Sequence, residues 1–298
     1  MNKTSLSLPH ALLAIFTMAI WGSNFVVIKA ALAHIPPLSF AALRFSLAFV
    51  PAVFFLKRPD VPIRNLAAFG LLIGVGQFGF LYIAMRSFIA PGIASLVMQT
   101  QVLFTIGLAV WIAREKVRVY QMVTVALGAA GLLTILSHTD GATTVLGLGL
   151  ALVASFSWAL GNMVQRATPG VNSLAFVVWS SAFSVPPLIL LSLLMEGPHA
   201  LPDAILHSSP GVWAAIAWQS FGNSLFGYAV WGYLLARHSA AAVAPWALLI
   251  PVFGMAASAL YLGEPLPLWK LAAAALIIGG LAINILGPRI TPVRVGAG

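Results

Sequence analysis

Five amide side chains fall in the middle of stretches that are otherwise apolar: Asn24, Gln77, Gln99, Gln219 and Asn223. An amide carries two donor hydrogens and a carbonyl acceptor, so inside hydrocarbon it needs a partner on a neighbouring helix or a water-filled space. A single interhelical hydrogen bond, worth roughly 0.6 kcal/mol on average, accounts for one such residue. It accounts equally for Ser23 or Ser155. Five amides at similar depth are more than helix gluing requires, and they suit a polar cavity for a small solute. Tyr82, Gln101, Asn162, Trp158, Trp179 and Trp246 have related chemistry and lie in the same or facing stretches. The three tryptophans lie deeper than the interfacial belt where this residue usually collects, and can stack on a solute or simply pack. Together with the five amides these residues form the expected substrate-binding set.

The groups that are missing narrow the chemistry further. Asp60, Glu115, Asp140, Glu196, Asp203 and Glu264 all lie in loops or at the edges of apolar stretches, and no histidine lies at mid-stretch. Proton-driven pumps pass protons through buried Asp, Glu or His, so facilitated movement down a gradient is expected over strict proton antiport. No buried acid is available to neutralise an organic cation, and no Lys or Arg is expected at the centre to hold a phosphate. Arg44 lies within an apolar stretch; it is expected to snorkel outward or to sit on helix-end carbonyls. Together with Lys29 it could also mark an outer vestibule that draws carboxylates. There is no cysteine, which excludes disulfides, thiolate metal sites and cysteine nucleophiles. No cofactor and no metal are expected. Gly222-Asn223-Ser224 lacks the following glycine and the mid-span histidine that an intramembrane serine protease would need, so an enzyme is not expected.

These side chains must be held by membrane-spanning helices. Of 298 residues, 61% are hydrophobic and 7% charged, against about 25% charged in soluble domains. The net charge of +9 comes from scarce acids and not from a dense basic face, which argues against nucleic-acid binding. Spanning helices need about 20 mainly apolar residues. Ten windows qualify: 10–31, 36–56, 66–85, 91–113, 118–137, 145–167, 173–195, 211–235, 240–262 and 267–287. The first is too long for a signal-peptide core, and Lys29 and His34 flank its only small-residue site; an uncleaved first span is expected. The longest loop, 196–210, is too short to fold alone. Pro51, Pro186, Pro187, Pro245 and Pro251 lie inside windows. Proline breaks the helical ladder, so Pro245 and Pro251 make the ninth window the expected moving helix. Gly70, Gly74, Gly76 and Gly79 give the third a small face for close packing.

Lys and Arg concentrate on the cytoplasmic side of membranes. With the N-terminus inside, Lys3, Lys57, Arg58, Arg64, Arg114, Lys116, Arg118, Arg166, Arg237, Arg289 and Arg294 fall inside, and only Lys29, Arg86 and Lys270 fall outside. Both termini are therefore expected in the cytoplasm. One constant offset carries Glu115 onto Glu264, Tyr120 onto Trp269, Leu127 onto Leu276, Gly131-Leu132 onto Gly280-Leu281 and Phe104 onto Phe253. The chain thus divides into residues 1–140 and 141–298, five helices each. An odd number inverts the second half, an arrangement that places a substrate site near the midplane between the halves. Glu115 and Glu264 then occupy equivalent places on opposite faces, as caps or as gate elements.

The segments WGSNFVVIK at 21–29, PPLSFAALRF at 36–45, WALGN at 158–162 and PVFGMAASALYLGEPL at 251–266 resemble the EamA branch of the drug/metabolite transporter superfamily along essentially the whole chain. The likeness is strongest to bacterial inner-membrane amino-acid exporters. It implies an all-α membrane protein of ten transmembrane helices, in two inverted five-helix repeats around a central cavity. The implied function is alternating-access export of amino acids or related neutral or zwitterionic metabolites; efflux of drugs or other hydrophobic compounds is the alternative. The expected partners are a small-molecule solute and the lipid bilayer, with a monomer as the working unit.

Overall fold

In the computed structural model the described residues are 6–113, 118–139, 141–238 and 240–290, and among them every regular element is helical. Among the described residues nine stretches are long and apolar enough to cross a membrane. In chain order they are α1 (Leu8–Leu32), α2 (Pro37–Phe54), α3 (Ile63–Ser87), α4 (Pro91–Leu108), α5 (Val119–Leu136), α6 (Val145–Arg166), α7 (Ser173–Met195), α9 (Ala244–Leu262) and α10 (Leu268–Gly287). Between α7 and α9 runs α8, residues 210–237, built from Pro210–Ala217, Trp218–Phe226 and Gly227–Arg237 without a break. It corresponds to the eighth of the ten expected windows. It is long enough to span, but Gln219, Ser220, Asn223 and Ser224 lower its apolarity below that of the other nine.

Helix starts follow the local chemistry. Proline occupies the first turn of α1, α2, α4 and α8, where its missing N–H would be unpaired in any case. Thr144 accepts a hydrogen bond from Gly147 N at the start of α6, and Asn172 from Ala175 N at the start of α7; these are side-chain caps of the usual kind. Gly263, at φ 65°, ends α9 in the left-handed conformation that glycine adopts without penalty.

The helices pair closely. α5 packs mainly on α10, α1 on α9, α2 on α7, α3 on α6 and α7, and α4 on α6 and α9. Without a strong hydrophobic drive in lipid, close backbone approach and dispersion hold such pairs. A Cβ on Gly22 would stand 2.5 Å from the Ile250 carbonyl and 2.6 Å from Phe253 Cβ, so glycine is what lets α1 lie flat on α9. α3 and α8 each carry one wide-turned π-helical segment of 9 residues, Leu71–Gly79 and Trp218–Phe226. α9 opens with a 3₁₀ segment, Ala244–Leu248, containing Pro245; Pro251 is buried in the α-helix that follows.

Candidate transport site

The amides of α1 and α8 meet in the interior. Gln219 donates to Asn24 Oδ1 at 2.6 Å, and Asn24 returns a bond to Gln219 Oε1 at 3.3 Å. The Tyr82 hydroxyl, from α3, donates to the same Gln219 oxygen at 3.3 Å. Tyr82 and Gln219 are fully buried and Asn24 nearly so. Trp21, one turn before Asn24, donates from Nε1 to the Asn223 carbonyl at 2.9 Å. Its ring also lies beside Tyr228 and Trp231, with centroids 5.7 Å away in each case. Gly227 leaves the space for that indole, since a Cβ there would collide with Trp21 Nε1.

The chain of bonds continues to a residue that the sequence reading places elsewhere. Arg44 neither snorkels nor sits on helix-end carbonyls. It is 2% exposed and heads the set of fully buried large side chains. Its Nη1 donates to Tyr82 Oη at 3.1 Å and its Nη2 to Ser224 Oγ at 2.9 Å. The guanidinium carbon lies 3.7 Å from the Phe78 ring centroid and 4.7 Å from that of Phe45. The expectation of a centre without Lys or Arg is therefore corrected: Arg44, the eighth residue of α2, is buried at mid-span, stacked on aromatic rings and bonded to α3 and α8. Depth along the helix was the one available signal, because a side chain that far from either end reaches an interface only by stretching fully.

The π-helical segment of α8 explains the local geometry. Its wide turn lets Ser224 donate to the Gln219 carbonyl, five residues back, at 3.1 Å while accepting from Arg44. Ser220 donates to the Arg44 carbonyl at 2.8 Å. Such segments recur at functional sites because they re-aim side chains within an otherwise regular helix.

The other expected residues are distributed differently. Gln101 and Asn162 form a second contact, with Asn162 Nδ2 donating to Gln101 Oε1 at 2.9 Å across α4 and α6. Nearby, Thr100 and Ser155 hydroxyls are 2.8 Å apart. Gln77 and Gln99 are buried, yet among the described residues neither makes a side-chain hydrogen bond. Trp158 and Trp246 are half-buried packing residues. Trp179 donates to the Leu56 carbonyl at 2.9 Å and packs edge-on to Phe49, at the far end of α2 from the start of that helix. Two cavities lie at the ends of the bundle. One of about 620 Å³ is lined by His34, Pro36, Glu196, His199 and His207, and one of about 470 Å³ by Leu56, Lys57, Asp60 and Asn172. Neither is lined by the central amides.

Glu264 is tied down. It accepts from Gly92 N at 3.0 Å, at the first turn of α4, and pairs with the buried Lys270 at 2.7 Å. Glu115 lies outside the described residues. Glu196, expected only as an acid at the edge of an apolar stretch, caps α2: it accepts from Leu38 N at 2.6 Å, Ser39 N at 2.9 Å and the Ser39 and Ser192 hydroxyls. A carboxylate against helix amides also answers the positive end of the helix dipole. Lys29 does the opposite job, donating to the Met85 and Arg86 carbonyls at 2.8 and 3.0 Å at the end of α3.

A multi-helix membrane bundle with a buried polar network joining α1, α2, α3 and α8 is an architecture that suits the passage of a small polar solute. The chain belongs to the EamA-like transporter family, which matches residues 8–137 and again 145–286. It is 38% identical over 284 residues to a protein of Salmonella typhimurium named "Probable amino-acid metabolite efflux pump", spanning 93% of this chain and 95% of that one. A protein of the same name from Escherichia coli is 37% identical over 292 residues, covering 95% and 97% of the two chains. A crystal structure at 18% identity superposes with a TM-score of 0.65, covering 95% of this chain and 98% of the other, and shows the same fold.

Proposed function

We propose that this protein is an exporter of amino acids or related small zwitterionic metabolites in the bacterial inner membrane, working by alternating access and without obligate proton coupling. The observation that carries this reading is the buried Asn24–Gln219–Tyr82 network, which presents amide and hydroxyl groups between helices at mid-span. The proposed binding set adds Gln77 and Gln99, whose unpartnered amides are available to a solute, and Asn223; Gln101, Asn162, Trp158, Trp179 and Trp246 belong to the wider path. Pro245, Pro251 and Glu264 are the proposed hinge and gate elements. The names of the two relatives support the substrate class. The absence of any carboxylate from the middle of a span supports facilitated movement. A buried arginine in place of a buried acid disfavours organic cations, and with them the drug-efflux alternative.

The proposed architecture is ten helices in two inverted halves, 1–140 and 141–298, with both termini cytoplasmic. Three features support it. The family matches once in each half. The two π-helical segments fall in the third helix of each half. The pairs α2–α7, α4–α9 and α5–α10 join helices of equal rank.

The test is uptake into proteoliposomes of labelled threonine, methionine, phenylalanine, lysine, glutamate and one organic cation, with and without a pH gradient. Uptake of several amino acids without a gradient is expected. Flux of the cation alone, or flux only with a gradient, would overturn the reading.

A further inference from the structure

Among the described residues no acid balances the charge that Arg44 carries. All six carboxylates of the sequence lie outside the spans. Glu196 and Glu264 are engaged on the helix starts of α2 and α4, and among the described residues no carboxylate pairs with Arg44. Removing a guanidinium from water without a counter-ion carries a large desolvation penalty. Stacking on Phe78 and Phe45 returns only part of that penalty. The hydrogen bonds are also incomplete, for the Nε hydrogen is buried and meets no acceptor. A guanidinium with a free edge is shaped for one class of ligand, a planar oxyanion held by two parallel N–H bonds.

We propose that Arg44 is the carboxylate-recognition residue of the transport site. This deepens the functional reading above and rests on it. The carboxylate takes Nε and one terminal nitrogen of Arg44, displacing Tyr82 or Ser224 as the acceptor there. The Gln219 side-chain oxygen, which already adjoins Tyr82, and the Asn24 oxygen bonded to the Gln219 amide nitrogen are then placed to accept from the solute's ammonium group. Of the groups that must exchange bonds, Ser224 and Gln219 sit on the π-helical segment of α8, where the ladder is already widened. The selected solutes therefore carry a carboxylate; an amine alone does not suffice.

The test uses the full-length protein in proteoliposomes. Counterflow of labelled phenylalanine is competed by unlabelled phenylalanine, by phenylalaninamide, which keeps the amine and loses the carboxylate, and by 3-phenylpropionate, which does the reverse. In the wild type the amide is expected to compete at least tenfold more weakly than the amino acid, and phenylpropionate to compete measurably. Arg44→Gln is expected to lose that discrimination, and Arg44→Lys to keep part of it. A wild type that accepts amide and acid alike sinks this inference while leaving amino-acid export intact, and this arm needs no variant to fold. Folded Arg44→Gln with unchanged discrimination also sinks it. A wild type that moves no amino acid in the panel overturns the functional reading, and the inference falls with it.

Discussion

Two half-buried glutamates show how much a single side chain carries here. Glu196 accepts four hydrogen bonds at the start of α2. Bonds to a charged group are worth roughly 1.5–3 kcal/mol each at most, and a helix cap about 1 kcal/mol. Glu196→Ala is expected to destabilise the protein by about 2 kcal/mol or more, read as a lowered melting temperature in detergent. Glu264 and Lys270 have side chains only 9% and 5% exposed. Removing one partner of such a pair strands the other, at about 3–5 kcal/mol, whereas removing both is far milder. Glu264→Ala should therefore be markedly less stable than the double variant Glu264→Gln/Lys270→Met; equal stability of the two would show the pair to be immaterial. At the central network, Asn24→Leu takes two bonds from the fully buried Gln219. Transport per inserted molecule should fall at least tenfold, and normal flux with normal insertion would assign Asn24 a packing role only.

At the scale of elements, close approach decides which helices can touch. Gly22 has no room for a methyl group against α9, while Gly149 on α6 has nothing within 4 Å of the place a Cβ would take. Alanine is the better helix former by roughly 1 kcal/mol. Gly149→Ala is expected to be neutral or slightly stabilising. Gly22→Ala should force α1 off α9 and lower both the melting temperature and the transport rate, because the obstacle includes backbone that cannot rotate away. If the two substitutions behave alike in thermal unfolding, α1 and α9 are not held as described.

For the whole molecule, the charge distribution predicts both ends of the chain in the cytoplasm. With no native cysteine, single cysteines can be labelled against no background. In intact cells a membrane-impermeant maleimide is expected to modify His199→Cys, after α7, and to spare Asp60→Cys, between α2 and α3, until the membrane is opened. The reverse pattern would invert the molecule. The two end cavities, at His199 and at Asp60, would then exchange faces with it.

Composition by itself determined that this is a membrane protein, and punctuation by Pro, Gly and charge determined where its helices begin and end. It also determined which residues lie deep, since depth is counted along one helix. Asn24, Gln77, Gln99, Gln219 and Asn223 were legible in that way. Which of them meet was not. α1 is apolar around its whole circumference, so no periodicity says which face of it turns to α8 and which to lipid. Azimuth is settled by the neighbour that packs closest, and that depends on residues far away in sequence, such as Gly22 against Phe253 and Gly227 against Trp21. Only the tertiary structure could therefore separate Asn24 and Gln219 from Gln101 and Asn162. It also drew Arg44 inward, because the aromatic ring of Phe78 and the oxygens of Tyr82 and Ser224 that hold its charge come from helices other than its own.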